Sequence, residues 1–170
     1  ERYFDEYYPR TRHLNRIVVT PSGSWLVAAE GGHVFRGSGS GGIAGMAWTA
    51  VKTPYAGSLW TGLVLPGGGV LLGGMRGNLV ASSDDGLSWR HSAVAGAGSL
   101  TGCTLLADGR PLLVGVDGTL LVGDAAAVNV RLQRLEDRAT LTAVARSGGD
   151  AKAALVATSM AGARLLEVPA

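Results

Sequence analysis

SSDDGLSW, residues 82–89, is the stretch on which the reading of this chain turns. It sets two acids, a glycine and a tryptophan within eight residues, which suits a catalytic carboxylate pair, a metal loop or a turn that the fold needs for its own sake. Its flanks choose among these. NLVAS (78–82) leads in and SWRHSAV (88–94) leads out, two short runs of the kind that pair as antiparallel strands, so the stretch lies where a hairpin turns.

The surrounding order of strands and turns recurs. TPSGSWLVAAEGGHVFRG (20–37), LPGGGVLLGGMRGNLVAS (65–82) and LADGRPLLVGVDGTLLVG (106–123) each run from a glycine turn through an apolar strand to a second glycine turn and a second apolar strand. Gly23, Gly68 and Gly109 are spaced by 45 and 41 residues, and Gly32, Gly77 and Gly118 keep the same two spacings. Leu59, Leu100 and Leu141 open the strand before the first turn at intervals of 41, and a fourth unit follows as LTAVARSGGDAKAALVATSMAGARLLEV (141–168). Trp48 and Trp89 are also 41 apart, so the four extra residues of the first unit fall in GSGSGGIAG (37–45), a surface turn that absorbs insertions at little cost.

A period near 41 built from several short strands is the pattern of propeller blades, and internal repeats outrank single motifs as evidence of fold. WLVAA, VLLGG, PLLVG and AALVA are short apolar runs bounded by turns, without helical periodicity. Such runs suit strands covered on both faces, as when blades stack.

Composition agrees. The 170 residues include 27 glycines and only two phenylalanines, which disfavours a helical bundle. A net charge of +2, with no basic run interleaved with aromatics, gives no nucleic-acid footprint. The single cysteine, Cys103, excludes an internal disulfide and a four-cysteine zinc site, and its apolar neighbours mark it as a small core residue. Thr53 to Met75 carries no charge over about 23 residues, but Pro54, Pro66 and the PGGG turn rule it out as a membrane span. No basic-then-apolar leader occurs in these residues.

Ser82, Asp84, Gly86, Ser88 and Trp89 fit the pattern Ser/Thr-x-Asp-x-Gly-x-Thr/Ser-Trp. The stretch therefore resembles the Asp-box (BNR) turn of sialidase-like propellers. The physics of such a turn is local: the aspartate accepts hydrogen bonds across it, the glycine supplies positive φ and the tryptophan staples it to the blade. GDAAAVNV (123–130) takes its place in the third unit, and Trp48 follows a loop without an aspartate in the first, so one box of four is intact. Joined to the 41-residue period and the phrase DGTLLVGD (117–124), the chain looks like the photosystem II stability/assembly factor-like propellers. That resemblance implies a non-enzymatic assembly factor that binds exported or membrane-protein segments, partly through arginines. It also implies that the binding face is built by second-to-third strand loops and blade-to-blade loops, with the Asp-box on the opposite rim.

On that geometry Glu30, His33, Arg76, Asn78 and Asp117 lie in second-to-third strand loops, and Tyr55, Trp60, Arg134 and Arg138 in blade-to-blade loops. Arg76 in GMRGN and Trp60 in GSLWTG lead, because arginine and tryptophan dominate interface hot spots; core packing between blades is the plain alternative for Trp60. Other readings are weaker. Gly37, Gly39 and Gly42 have dinucleotide-loop spacing, but no acidic residue lies between Glu30 and Asp84 and no helical pattern follows. His13, His33 and His91 lack metal-ligand spacing. A glycosidase needs two carboxylates across a sugar, which Glu30 and Asp117 would have to provide.

The sequence thus predicts an all-β propeller of four-stranded antiparallel blades at roughly 14–57, 58–98, 99–139 and 140–170, with residues 1–13 as an outer closing strand. It is either a closed four-blade ring or the C-terminal part of a propeller of about seven blades. The expected role is protein binding outside the cytoplasm, in a periplasmic, luminal or secreted setting, without catalysis, metal or cofactor. A carbohydrate-binding or glycosidase-like propeller is the alternative.

Overall fold

The structure is a computed structural model that describes residues 12–39, 45–149 and 153–167. Its strands form successive antiparallel sheets in chain order. Blade 1 holds β1 (Leu14–Val19), β2 (Trp25–Ala29), β3 (His33–Ser38) and β4 (Ala47–Lys52). Blade 2 holds β5 (Leu59–Val64), β6 (Val70–Gly74), β7 (Asn78–Ser82) and β8 (Arg90–Ala93). Blade 3 holds β9 (Leu100–Leu105), β10 (Pro111–Gly115), β11 (Thr119–Gly123) and β12 (Val130–Arg134). Blade 4 shows β13 (Leu141–Arg146), β14 (Leu155–Ser159) and β15 (Gly162–Leu165), three strands among the described residues. The expected outer closing strand falls largely on residues 1–11, outside those described.

The apolar runs become the middle strands, and their lack of alternation has a structural cause. Successive side chains of a strand point to opposite faces, and both faces of these sheets are covered. In β6, Leu72 joins Val70 and Val80 in the seam with Leu26, Ala28 and Val34 of blade 1, while Leu71 joins Leu79 in the seam with Leu100, Leu113 and Leu121 of blade 3. In blade 3, Leu112, Val114 and Leu120 face Leu141, Val144 and Ala157 of blade 4. Each buried leucine contributes roughly 1.5–3 kcal/mol of transfer free energy. The outer strands β4 and β8 are exposed almost throughout, as the rim of a blade should be.

The inner strands β1, β5, β9 and β13 pack side by side in that order. Each is interrupted at the same place: the register slips around Asn15, Trp60, Thr101 and Thr142. The bulge residue ties its blade to the next one in two cases. The Asn15 amide donates to the Leu59 carbonyl at 2.9 Å, and the Thr101 hydroxyl to the Leu141 carbonyl at 2.5 Å. Among the described residues, β1 and β13 do not pack on one another as the other inner strands do, so the four blades form an arc rather than a closed ring.

Candidate functional site

Antiparallel blades place their second-to-third strand turns and the blade-to-blade connectors on one rim, here the upper one. The first- and third-strand turns, including 83–89, lie on the lower rim.

The upper rim repeats one clasp. Its turns carry two successive residues at positive φ: Gly31 and Gly32 (66° and 72°), Arg76 and Gly77 (51° and 70°), Asp117 and Gly118 (56° and 65°). The second residue locks the turn to the following connector. Gly77 N–H donates to the Gly98 carbonyl at 2.9 Å, and its own carbonyl accepts from Val94 N–H at 3.0 Å; Gly32 and Gly118 repeat both bonds with Gly57 and Thr53, and with Ala139 and Leu135. Only glycine fits there, since a Cβ on Gly77 would lie 2.6 Å from the Ala97 Cβ and the Val94 oxygen. The first residue is also held through its backbone in blades 2 and 3, where Arg76 N–H donates to Ser99 Oγ at 3.2 Å and Asp117 N–H to Thr140 Oγ1 at 3.4 Å, and both side chains are exposed. Blade 1 fills this place with glycine, blade 2 with Arg76 and blade 3 with Asp117.

The expected site residues divide by their partners. Glu30 accepts from the His13 ring at 2.8 Å, a bond that holds its carboxyl below the usual range. His33 contacts the Arg12 guanidinium, and burial followed by that charge lowers its pKa. Asn78 receives the His91 ring at 2.7 Å and donates to the Met75 carbonyl, and His91 stacks on Tyr55 with ring centroids 5.5 Å apart. Asp117 binds Arg134 at 2.8 Å and Arg138 at 3.1 Å. Arg76 differs: it is exposed, and its guanidinium has no hydrogen bond or ion pair to any described residue.

Four placements correct the sequence reading: His33 and Asn78 are not turn residues but the first residues of β3 and β7, where pairing with the neighbouring strand has already begun. Trp60 is not in a connector; it is the bulge residue of inner strand β5, half-buried, where blades 1 and 3 carry the polar side chains that tie neighbouring blades. Arg134 is the last residue of β12 rather than part of a connector. Glu30 and Asp117 sit in separate blades, the first engaged by the His13 ring and the second by Arg134 and Arg138. No group of three or more His, Cys, Asp or Glu able to hold a metal occurs among the described residues. No helix of the described residues is long and apolar enough to cross a membrane.

On the lower rim the 82–89 turn has the expected local bonds. The Asp84 carboxylate accepts from Ser82 Oγ at 2.8 Å, Ser88 N–H at 2.9 Å and Ser88 Oγ at 2.5 Å, and these bonds hold it at about 2. Gly86 N–H donates back to Ser82 Oγ at 2.9 Å, and Trp89 is buried in the seam between blades 1 and 2. Two features escaped the sequence reading. Asp85, which no motif position specifies, leaves its own turn and accepts from Thr20, Ser22 and Ser24 of blade 1 at 2.5, 2.7 and 2.6 Å. Burial alone would raise its carboxyl, but those hydroxyls and Arg36 outweigh it, and it lies well below the usual range. The apparently degenerate GDAAAVNV forms a turn one residue shorter that keeps one of the bonds: Asp124 Oδ1 accepts from Val128 N–H at 2.9 Å, as Asp84 does from Ser88, although serine and tryptophan are gone.

Cys103 lies between blades 2 and 3, receives the Thr61 hydroxyl at 3.1 Å, and is pushed up in pKa by burial. A cleft of about 570 Å³ opens along the inner strands, lined by Leu63, Cys103 and Leu105 together with Arg16 and Arg146, with no acidic residue in its wall among the described residues. It would favour an anionic group.

No protein-family model matches the chain, and no curated protein matches its sequence. Solved structures match its fold. The WD40 β-propeller domain of Doa1 superposes with a TM-score of 0.69 at 10% identity, over 92% of this chain and 51% of that one. YCF48 bound to D1 peptide superposes with a TM-score of 0.68 at 14% identity, again over 92% of this chain and 51% of that one. The chain is a partial β-propeller that spans about half the length of both structures.

Proposed function

We propose that this chain is a non-enzymatic protein-binding propeller module whose upper rim receives a peptide segment of an exported or membrane protein. Arg76 carries the reading. A non-glycine residue in the left-handed region costs about 1 kcal/mol, and blade 1 has glycine at this place. An arginine is held there at φ 51°, exposed and with no partner for its guanidinium among the described residues. A local cost of that kind, at an exposed cation, is characteristic of a site kept for binding. The guanidinium offers planar, bidentate recognition of a carboxylate.

Trp60 would add an aromatic anchor from the same blade. Its neighbours in the bulge series are an amide and a hydroxyl that close inter-blade contacts, whereas an indole adds apolar area. The fold match to YCF48 bound to D1 peptide supports a peptide as the partner class. The resemblance of the 82–89 turn and the 41-residue repeat to photosystem II assembly factor-like propellers supports an assembly or stability role on the periplasmic, luminal or secreted side. Catalysis on a glycoside is disfavoured, because Glu30 is bound to His13 and Asp117 to two arginines.

The test is selection from a displayed peptide library, followed by fluorescence polarisation with the enriched peptide. Peptides bearing a carboxylate should be enriched, and Arg76→Glu and Trp60→Ala should each weaken binding about tenfold or more, as hot-spot losses do. Failure to enrich any peptide, or undiminished binding by folded Arg76→Glu, would sink the reading.

A further inference from the structure

We infer that the cleft along the inner strands is a second binding site, which takes a small amphiphile: a carboxylate head held by Arg16 and Arg146, and an apolar body laid over Leu63, Leu105 and Leu106. Gly109 and Gly148, in the first-to-second strand turns of blades 3 and 4, place this cleft toward the lower rim. It is therefore separate from Arg76 and the upper rim.

The floor comes from β5, from β9 and from the turn that follows β9. Leu63, Leu105 and Leu106 are half-buried, whereas the leucines of the middle strands β6 and β10 are fully buried, so the floor keeps apolar area open to the cleft. Cys103 lies beside them as a small apolar neighbour. A volume of about 570 Å³, with an apolar floor and a few oriented polar groups, is the usual make-up of a small-molecule pocket.

The charged walls are carried by blades 1 and 4 yet turned toward the blades between them. Arg16 alternates with Val18 on β1 and Arg146 with Val144 on β13, so each arginine shares the strand face that its valine buries inside the chain, against blade 2 or blade 3. Each guanidinium is aimed through its Nε. Arg16 donates across the seam to the Gly62 carbonyl at 3.1 Å, and Arg146 to the Gly148 carbonyl at 3.0 Å. The Nη groups of both have no hydrogen bond or ion pair to any described residue. The Arg16 charge also reaches the floor: burial pushes the Cys103 thiol up, and the Thr61 hydroxyl and Arg16 pull against it.

The complement of such a cleft is an anion. Asp108, in the same turn as Gly109, is paired with Arg110 at 2.7 Å and does not line the cleft. A ligand carboxylate would relieve the repulsion of two cations facing one cavity and accept from their planar forks. The leucines reward an apolar body on that carboxylate, which a free small anion lacks.

The test is isothermal titration calorimetry of the 170-residue chain with decanoate, decanol and decyltrimethylammonium, which share a tail and differ in the head, and with acetate, which has the head alone. Decanoate should bind about tenfold or more tighter than each of the other three, as the gain of a charge-assisted hydrogen bond on an apolar anchor does. Arg16→Gln combined with Arg146→Gln should remove that preference with an unchanged melting temperature and unchanged peptide binding, and Arg76→Glu should leave the preference intact. The head-group series on the wild-type chain decides the matter even where the double variant folds poorly. No binding of decanoate, equal binding of decanol or acetate, or a preference that survives in the folded double variant would overturn the proposal.

Discussion

Asp85 of blade 2 closes an ion pair with Arg36 of blade 1 across the lower rim, and the same guanidinium donates to the Asp85 carbonyl at 2.8 Å and to Ser24 Oγ at 2.9 Å. Both side chains are mostly buried, and the carboxylate is further saturated by three hydroxyls. The turn that looks self-contained in the sequence is therefore also a strut between blades. Gly86 sets its approach, since a Cβ there would lie 2.6 Å from Leu26 of blade 1.

Asp85→Ala should cost about 2–3 kcal/mol in urea unfolding, because it leaves a half-buried guanidinium and several hydroxyls without their acceptor. A double-mutant cycle with Arg36→Ala should return a coupling of about 1–3 kcal/mol. A coupling indistinguishable from zero would show that the pair is ornamental.

The acid limb of stability follows from the same turn. Asp84 and Asp85 are both depressed in the fold, so their contribution is full above the unfolded carboxylate value of about 3.9 and is lost as pH falls through the folded values. The melting temperature should drop between about pH 4 and pH 2. Asp85→Asn should flatten that drop while leaving a lower plateau near neutrality, and an unchanged slope would remove Asp85 as its source.

The two upper-rim positions of blade 2 should separate stability from binding. Gly77→Ala forces a Cβ into the Val94–Ala97 connector at positive φ and should destabilise by about 2–3 kcal/mol. Arg76→Gly relieves its own φ and should leave stability unchanged or raise it by up to about 1 kcal/mol, while peptide binding falls. Loss of stability on Arg76→Gly would assign the arginine a structural role instead.

Trp89 staples the lower turn through shape rather than through its indole nitrogen. That N–H is buried with no hydrogen-bond partner. Trp89→Phe should therefore cost less than about 1.5 kcal/mol, against about 3–5 kcal/mol for Trp89→Ala. Equal losses in calorimetry would mean that the N–H has an acceptor after all.

Asp124→Ala should lower the melting temperature even though its segment lacks the serine and tryptophan of the motif, because three backbone N–H groups, those of Ala126, Val128 and Asn129, lose their acceptor. Substituting the neighbouring Ala125, which takes no part in these bonds, with serine serves as the control. If both variants melt with the wild type, the turn is held by its strands alone.

The repeat was legible because blade stacking imposes itself locally: each glycine turn and each doubly covered strand demands its residue type, and the demand returns after 45 residues and then 41. The turn at 82–89 was legible for the same reason, since the Asp84 bonds all fall within it, while its place on the lower rim was implied by the resemblance to Asp-box propellers. What failed was whatever depended on another blade. Trp60 reads as a connector residue because a bulge leaves no mark on composition, and only the slipped register of β5 and β6 places it in the inner strand. Asp85 reads as filler because its partners lie 49 to 65 residues away. Arg76 leads in the sequence by residue type and its glycine flanks, but only the fold shows that Asp117 and Arg138 pair with one another while the Arg76 side chain faces solvent. The sequence by itself determined blade order and turn chemistry, because these are properties of a strand and its own turn. Tertiary structure alone decided which charges are engaged, which aromatic residues staple blades and which blade faces stay open, because those depend on the distance between residues that the chain keeps far apart.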